Sequence, residues 1–526
     1  MERTRDEILA SLPRRLIEMP RRWAAATPDA PAVRFGDRLW THGALLAGIE
    51  AARDRLQAAG VRPGDRVTLA IENGVAGLCF FHAVCALDAW AVLANARLTA
   101  RELGVIAADS GARLSIFATG DSQAAAAHAD AAGALRHEDA LYGEVAIGPA
   151  DPAAEPEPVF EAPERQIAAM IFTSGSTGRP KGAMLSHRAM LYQSAIVSER
   201  RGFAPGDCPY VVAPMVHVLG LAGMVLPALH VGAAIRLAAR LDVAAVAAAL
   251  EAGDLTHLYG APPLFTALIA HAAKHSGGRI RAPRLKEILA GGAPVDEALR
   301  AAAAETFGMK LGAGYASTEF TPISASIPAR PANPGAAGHP WHGMELKLVD
   351  AAGAEAKPGE VGEVWCRGPN AMSGYYRAPE ASAEAMKPGG WIAIGDLARL
   401  DADGQIHLVG RLKDIILRSG FTVYPAEVEG VLNAHPRVAQ AAVVGRKVDG
   451  NEEVVAFVQP APAEAAPDLD ELAAYAAERL VAYKRPGRII LLDALPVGPT
   501  GKLDKAGLRD AAARLPADSA AIAAKA

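Results

Sequence analysis

The chain has 526 residues, 51% of them hydrophobic and 21% charged, a balance typical of folded globular chains and far from disorder. Its 53 basic and 58 acidic side chains leave a net charge of −5, which offers no electrostatic footprint for nucleic acid. At roughly 150 residues per domain, the length predicts three or four folding units, or two domains of which one is large and composite.

In chain order, the stretch up to Trp23 mixes arginines with Glu2, Asp6 and Glu7 and lacks an apolar block, so no secretory signal is expected. Residues 19–118 alternate Ala-rich helical stretches with short β-branched runs such as 67–71, and the turn Arg62-Pro63-Gly64-Asp65 separates two of them. That alternation is α/β logic. Residues 148–163, rich in Pro, Ala and Glu, predict a connector before an apolar strand at 167–172. Alternation resumes to about Glu319. Within it, the apolar run 218–229 contains Pro227 and falls well short of the ~20 residues that span a bilayer, so it predicts a buried helix.

Between residues 335 and 410 short strands at 345–349 and 363–367, punctuated by Gly and Pro, predict a small barrel or antiparallel sheet. After Arg411 the pattern predicts a helix at 426–433, strands at 439–444 and 453–459, a helix at 469–481 and a strand at 488–492, a compact α+β domain. The tail after Ala511 predicts a fraying helix or disorder. Cys79, Cys85, Cys208 and Cys366 show no C-x-x-C spacing, which predicts neither a zinc site nor a disulfide framework and fits the cytoplasm.

The strongest local signal follows the strand at 167–172: Thr173-Ser174-Gly175-Ser176-Thr177-Gly178-Arg179-Pro180-Lys181-Gly182. Glycine-freed backbone N–H groups, four hydroxyls and one ammonium suit the oxygens of a polyphosphate. The order of residues is not that of the G-x-x-x-x-G-K-[ST] loop, because Pro180 precedes Lys181 and Gly182 follows it.

At this loop the chain resembles the adenylate-forming superfamily of acyl- and aryl-CoA synthetases, peptide-synthetase adenylation domains and firefly luciferase. Further motifs follow in that family's order across nearly the whole chain. Gly314-Tyr315-Ala316-Ser317-Thr318-Glu319 is similar to the family's Y-G-x-T-E element, with Ala316 in the usual Gly place. The resemblance implies that Tyr315 stacks on adenine, Thr318 contacts the α-phosphate, and Glu319 with Thr177 holds Mg²⁺. Gly291-Gly292-Ala293-Pro294 resembles the segment lining adenine and the acyl tunnel. Asp396, in Trp391-Ile392-Ala393-Ile394-Gly395-Asp396-Leu397, looks like the ribose carboxylate, and Arg411 matches the arginine that contacts ribose and phosphate. A lone Gly-Asp or Gly-Arg pair is ordinarily a surface turn; order and spacing carry these assignments.

Pro499-Thr500-Gly501-Lys502-Leu503-Asp504-Lys505 is similar to the family's final lysine loop. Attack of a carboxylate on the α-phosphorus brings two anions together, and a cation between them stabilises the developing charge. The resemblance gives Lys502 that catalytic role. His217 in Pro214-Met215-Val216-His217-Val218-Leu219-Gly220 matches the P-x-x-H-x-x-G element of the acyl pocket, which with Gly220, Gly291, Gly292 and Gly314 is expected to leave room for a fatty or aryl acid larger than acetate.

The implied fold is an N-terminal domain over 1–412, made of two α/β subdomains and a small β-barrel-like one, and a mobile C-terminal α+β lid over 413–526. Lys413 is the implied hinge, and Ser419-Gly420-Phe421 is expected to join the coenzyme tunnel after rotation. The implied activity is an ATP-dependent carboxylic acid:CoA ligase that passes through acyl-AMP, releases pyrophosphate, then forms a thioester and releases AMP. ATP, Mg²⁺ and coenzyme A are its expected cofactors, with no nucleic acid, no transmembrane segment, and a homodimer allowed. Rival readings are a ligase loading a carrier protein, a luciferase-like oxygenase and a non-catalytic nucleotide-binding paralogue. The residues His217-Val218-Leu219-Gly220, where peptide-synthetase pockets place an Asp for the amino group, favour free acids over amino acids.

Overall fold

The computed structural model describes residues 3–173, 180–327, 329–419, 421–448, 451–461, 466–497 and 503–516. It divides into two compact units, one comprising Met1–Lys347, Trp365–Ile394 and Asp403–Ile406, the other Leu348–Val364, Gly395–Ala402 and His407–Ala526. The chain crosses from one to the other within the strands Glu345–Val349, Gly362–Arg367 and Trp391–Leu400. The short strands expected in this stretch are therefore present, and Met386 and Lys387 pair antiparallel with Ile392 and Trp391.

The first unit carries two large sheets. One has seven strands in the order Leu135–Asp139, Gly143–Ile147, Leu114–Phe117, Arg66–Ile71, Trp90–Asn95, Ile167–Thr173 and Lys181–Ser186. Its central strands Arg66–Ile71, Trp90–Asn95 and Ile167–Thr173 are parallel, and every residue of Arg66–Ile71 is buried. Strands covered on both faces are continuously apolar rather than alternating, which is why the sequence shows runs here. Arg66 is the exception that proves affordable: its guanidinium donates to the carbonyls of Ser110, Gly64, Glu155 and Gly111 at 3.1, 3.2, 2.5 and 2.8 Å, so the buried charge keeps its hydrogen bonds. Helix Val75–Ala86 is buried almost throughout and packs on helix His42–Ala58 and on these strands. Each of its large apolar side chains, fully buried, contributes about 1.5–3 kcal/mol.

The second sheet has nine strands, in the order His339–Pro340, Ser324–Ala325, Gly312–Tyr315, Glu287–Gly291, His257–Gly260, Pro209–Val211, Ile235–Leu237, Pro31–Phe35 and Arg38–Thr41. From Gly312–Tyr315 through to Pro31–Phe35 neighbouring strands run parallel, so the carboxyl ends of several strands, and the loops after them, lie along one edge. The apolar run at 218–229 is buried, but it is not one regular helix. Val218–Gly220 is followed by a π turn over Leu221–Val225 and then directly by Leu226–His230, with Pro227, which has no N–H to give a continuous α ladder, just after the π turn.

In the second unit strands Val438–Val448 and Asn451–Pro460 pair antiparallel, and Arg488–Leu491 joins in parallel. Side chains alternate between two cores: Ala441, Val443, Val454 and Ala456 face one with Val428, Leu432 and Leu472, while Ala442, Val444, Val455 and Phe457 face the other with Leu508 and Ala512. A strand's period of two puts neighbours on opposite faces, and helices Pro425–Asn433, Leu469–Arg479 and Lys505–Ala513 supply the apolar residues of both cores. Each element predicted after Arg411 is thus present to within a few residues. All four cysteines are free and buried, and among the described residues no helix is long and apolar enough to cross a membrane.

Candidate functional site

Strand Ile167–Thr173 ends where its antiparallel partner begins, and Thr173 stands opposite Lys181 in the ladder. Both ends of the hydroxyl-rich motif are fixed side by side on the outermost pair of the seven-stranded sheet; Ser174, Gly175, Ser176, Thr177 and Gly178 lie outside the described residues. The Lys181 ammonium sits 5.3 Å from the centroid of the Tyr375 ring, within the ~6 Å of a cation–π contact. The Tyr375 hydroxyl in turn donates to Glu319 Oε1 at 2.7 Å.

Backbone bonds hold this group. Tyr375 bridges Ala183, the Tyr376 N–H donates to the Gly182 carbonyl at 2.8 Å, and the Met372 N–H donates to the Glu319 carbonyl at 2.9 Å. Ser317 Oγ accepts from the Phe320 N–H at 3.0 Å, and the Thr321 hydroxyl donates to the Ser317 carbonyl, which shapes the turn carrying Thr318 and Glu319. Thr318 is buried. Burial, then the adjacent Glu319 carboxylate, raises the Tyr375 phenol well above its ordinary pKa, so it remains a proton donor.

Tyr315 ends strand Gly312–Tyr315 and is buried. Gly314 is the register partner of Gly291 on the neighbouring parallel strand, and beyond it Gly292, Ala293 and Pro294 are exposed. Gly292 has φ +82°, a left-handed turn that a side chain would strain. The glycines do not simply leave empty space. A Cβ on Gly220 would lie 2.4 Å from the Ala213 carbonyl oxygen and 2.5 Å from that of Pro214, so Gly220 permits close backbone packing rather than providing room for an acyl group. At Gly291 and Gly314 the nearby space is taken by Tyr259 and Leu289.

His217 caps the helix after it, Nδ1 accepting from the Leu219 N–H at 3.3 Å; with Nδ1 as acceptor, the neutral ring carries its proton on Nε2. The loop before it is held by Asn73, a residue the motifs do not single out. Its side-chain amide donates to the carbonyls of Val211, Ala213 and Ala238 at 3.3, 3.0 and 3.0 Å, and its carbonyl accepts from the Met215 N–H at 2.7 Å. Asn73 follows strand Arg66–Ile71 of one sheet and ties it to strand ends of the other.

In the second unit the Arg411 guanidinium lies 3.0 Å from Asp396 Oδ1, the carboxylate being buried and the arginine half exposed. Gly395, at φ +76° inside strand Trp391–Leu400, is the irregularity that precedes Asp396, as glycine allows. Lys413 lies in the tight turn Leu412–Asp414, and Asp414 pairs with Arg509 of helix Lys505–Ala513 at 2.8 Å. Ser419 takes φ +53°, and Phe421 stacks on Tyr483 at 4.5 Å between centroids. Gly420 and Lys502 lie outside the described residues.

The model of the family described as AMP-binding enzyme matches residues 20–376, and that of the AMP-binding enzyme C-terminal domain matches residues 427–502. The chain belongs to the AMP-binding enzyme family. It is 36% identical over 493 residues to a feruloyl-CoA synthase of Amycolatopsis sp, covering 93% of this chain and 97% of that one. To the 2-succinylbenzoate–CoA ligase of Geobacillus kaustophilus (strain HTA426) it is 33% identical, over 91% and 94% of the two chains. Among solved structures, ATP-bound MatB from Rhodopseudomonas palustris matches with a TM-score of 0.82 at 25% identity, over 95% of this chain and 99% of that one. The adenylate-forming resemblance and its mixed α/β fold, with a large and a small domain, thus agree with the family found.

For an AMP-binding enzyme that uses ATP, the chemistry of Glu319 fits a magnesium ion. The tyrosine hydroxyl engages one carboxylate oxygen, and a carboxylate has a second to offer a hard cation. Magnesium in nucleotide sites is held by one or two carboxylates together with phosphates and water, which a single Glu319 carboxylate suits; Thr177, the other expected ligand, lies outside the described residues. Tyr375 escaped the sequence reading because it lies 56 residues from Glu319 and Ser373-Gly374-Tyr375-Tyr376 looks like a turn. Asn73 had a local signal, the Asn-Gly pair after a buried strand, but that signal predicts only a turn.

Proposed function

We infer that this AMP-binding enzyme is an acid–thiol ligase acting on a free aryl carboxylic acid. The carboxylate oxygen attacks the α-phosphorus of ATP, pyrophosphate leaves, and the CoA thiol then displaces AMP from the acyl carbon. A carboxylate is a poor electrophile, and the mixed anhydride supplies the leaving group it lacks. The similarity to feruloyl-CoA synthase across 93% of the chain carries this reading, and the aryl choice follows the aromatic acids in both relatives' names.

Lys181 neutralises phosphate charge at one end of the site, Thr318 and Glu319 at the turn orient the α-phosphate and its cation, and Asp396 accepts from ribose hydroxyls beside Arg411. Tyr315, with Gly292, Ala293 and Pro294, forms the adenine wall, and His217 borders the route of the thiol. Lys502 supplies the cation for adenylation, and domain 413–526 turns about Lys413 to remove it and bring Gly420 to the coenzyme. A homodimer in the cytoplasm is its proposed setting, checked by light scattering and fractionation. The decisive experiment is pyrophosphate release over a panel of benzoates, cinnamates and fatty acids, followed by thioester formation with CoA. Release without thioester would redirect the acceptor to a carrier protein, and no release with any acid would sink the proposal.

A further inference from the structure

Segment 373–376 runs antiparallel beside strand Lys181–Ser186 at the edge of the seven-stranded sheet. The Ser373 N–H donates to the Met184 carbonyl at 2.8 Å, the Met184 N–H to that of Gly374 at 2.9 Å, and the Tyr376 N–H to that of Gly182 at 2.8 Å. Neighbours in an extended segment point to opposite faces, so its two tyrosines separate. Tyr375 packs against the core cluster that holds Ile171 and Ala183, where its ring meets Lys181 and its hydroxyl meets Glu319. Tyr376 belongs with the cluster of Met170 and Met184 on the other face. There its ring meets the buried Trp90 edge-on at 5.7 Å, and its hydroxyl donates to Glu157 Oε1 at 2.5 Å. Glu157 is itself fixed: its N–H donates to the Gly64 carbonyl at 2.9 Å, and Arg66, whose guanidinium lies 5.8 Å from the Tyr376 centroid, donates to the neighbouring Glu155 carbonyl. The next residue, Arg377, takes φ +50°, a left-handed conformation that costs free energy in a residue with a side chain and persists where the surroundings over-determine it, as at functional sites. The connector over 148–163 thus holds a strained segment whose opposite face carries the contacts to Lys181 and Glu319.

We propose that Tyr376 and Glu157 are positioning residues for nucleotide binding: anchored on the far face of the sheet, they hold segment 373–376 in register and so set the Tyr375 ring against Lys181 and Glu319. Their bond joins a hydroxyl to a carboxylate, the stronger, charge-assisted kind, which suits an anchor. The inference rests on the reading that Lys181 meets phosphate and Glu319 a magnesium ion.

The test measures the Kd for MgATP by calorimetry on the full chain, with pyrophosphate release, the KM for the acid and the melting temperature alongside. Tyr376→Phe and Glu157→Ala are each expected to weaken MgATP binding by roughly three- to tenfold, within the range for residues that act on a site through others, while the KM for the acid holds. Glu157→Gln keeps an oxygen acceptor and is expected to restore wild-type binding. Tyr376→Phe keeps the ring against Trp90, so it decides the matter alone should Glu157→Ala fail to fold. In a Tyr375→Ala background the effect of Tyr376→Phe should largely vanish, because residues that act through one another are not additive. A lower melting temperature with an unchanged Kd, or a Tyr376→Phe effect of full size in the Tyr375→Ala background, overturns the positioning role and leaves the ligase reading intact. A wild type that binds MgATP yet releases no pyrophosphate with any acid overturns the ligase reading, while the calorimetric Kd values still decide the role of Tyr376 and Glu157.

Discussion

The Tyr375 hydroxyl donates to Glu319 Oε1 at 2.7 Å while the Lys181 ammonium lies over the same ring, 5.3 Å from its centroid. One tyrosine thus stands between a cation and a carboxylate, an arrangement that supports the proposed roles of the lysine toward phosphate and of the glutamate toward a metal ion. Tyr375→Phe preserves the ring and removes the donor. We expect the Mg²⁺ concentration for half-maximal pyrophosphate release to rise roughly tenfold, at the low end of a charge-assisted hydrogen bond of about 1.5–3 kcal/mol. Magnesium titration, with Mn²⁺ binding followed by electron paramagnetic resonance, checks this; unaltered curves would leave Tyr375 only a packing residue.

Lys413→Pro and Lys502→Ala should separate the two half-reactions. Proline holds φ near about −65° in the turn Leu412–Asp414, so pyrophosphate exchange should persist while thioester formation falls. Lys502→Ala should lower adenylation by at least ~10²-fold, the scale for losing one transition-state donor, yet still convert preformed acyl-AMP with CoA. Equal loss of both steps in either variant would contradict the assignment.

Asp396→Ala removes the partner of Arg411, 3.0 Å away. Because that arginine is half exposed, water replaces the lost contact and the melting temperature should shift little. The KM for ATP should rise about tenfold or more, while the KM for the acid stays near its wild-type value. Steady-state kinetics with each substrate varied in turn will distinguish this from a general loss.

Asn73→Ala should do the reverse. It strands the Met215 N–H and takes the side-chain donor from the carbonyls of Ala213 and Ala238, each costing about 1–3 kcal/mol where water cannot reach, while the Val211 carbonyl keeps the Ala238 N–H. The melting temperature should drop, and the KM for the acid should rise more than that for ATP, because the loop before His217 loses its tie. Chemical denaturation together with the two KM values tests both halves of the expectation.

Acid should destabilise the fold through two core histidines. Burial pushes His82 and His187 down to about 3 from the ordinary 6.5, and neither His82 ring nitrogen has a hydrogen-bond partner among the described residues. The unfolded chain therefore binds more protons between these values, so stability is full above pH 6.5 and falls as the pH drops toward 3. Urea unfolding at neutral pH and near pH 5 should show the loss, and His82→Leu should reduce its slope. Identical slopes in variant and wild type would exclude His82 as a cause.

What the sequence determined by itself is the set of local choices: continuous apolar runs where strands are covered on both faces, a period of two in the last domain, and an ordered series of short motifs. Those depend on neighbours along the chain, and the strands Arg66–Ile71, Ile167–Thr173 and Asn451–Pro460 stand close to where the pattern put them. Tertiary structure decided which distant side chains meet. Tyr375 reaches Glu319, Asn73 joins two sheets, and Tyr259 occupies the space that Gly223, Gly291 and Gly314 free. A glycine in a motif announces that something approaches closely; only packing in three dimensions says whether that neighbour is a substrate, a carbonyl or a ring.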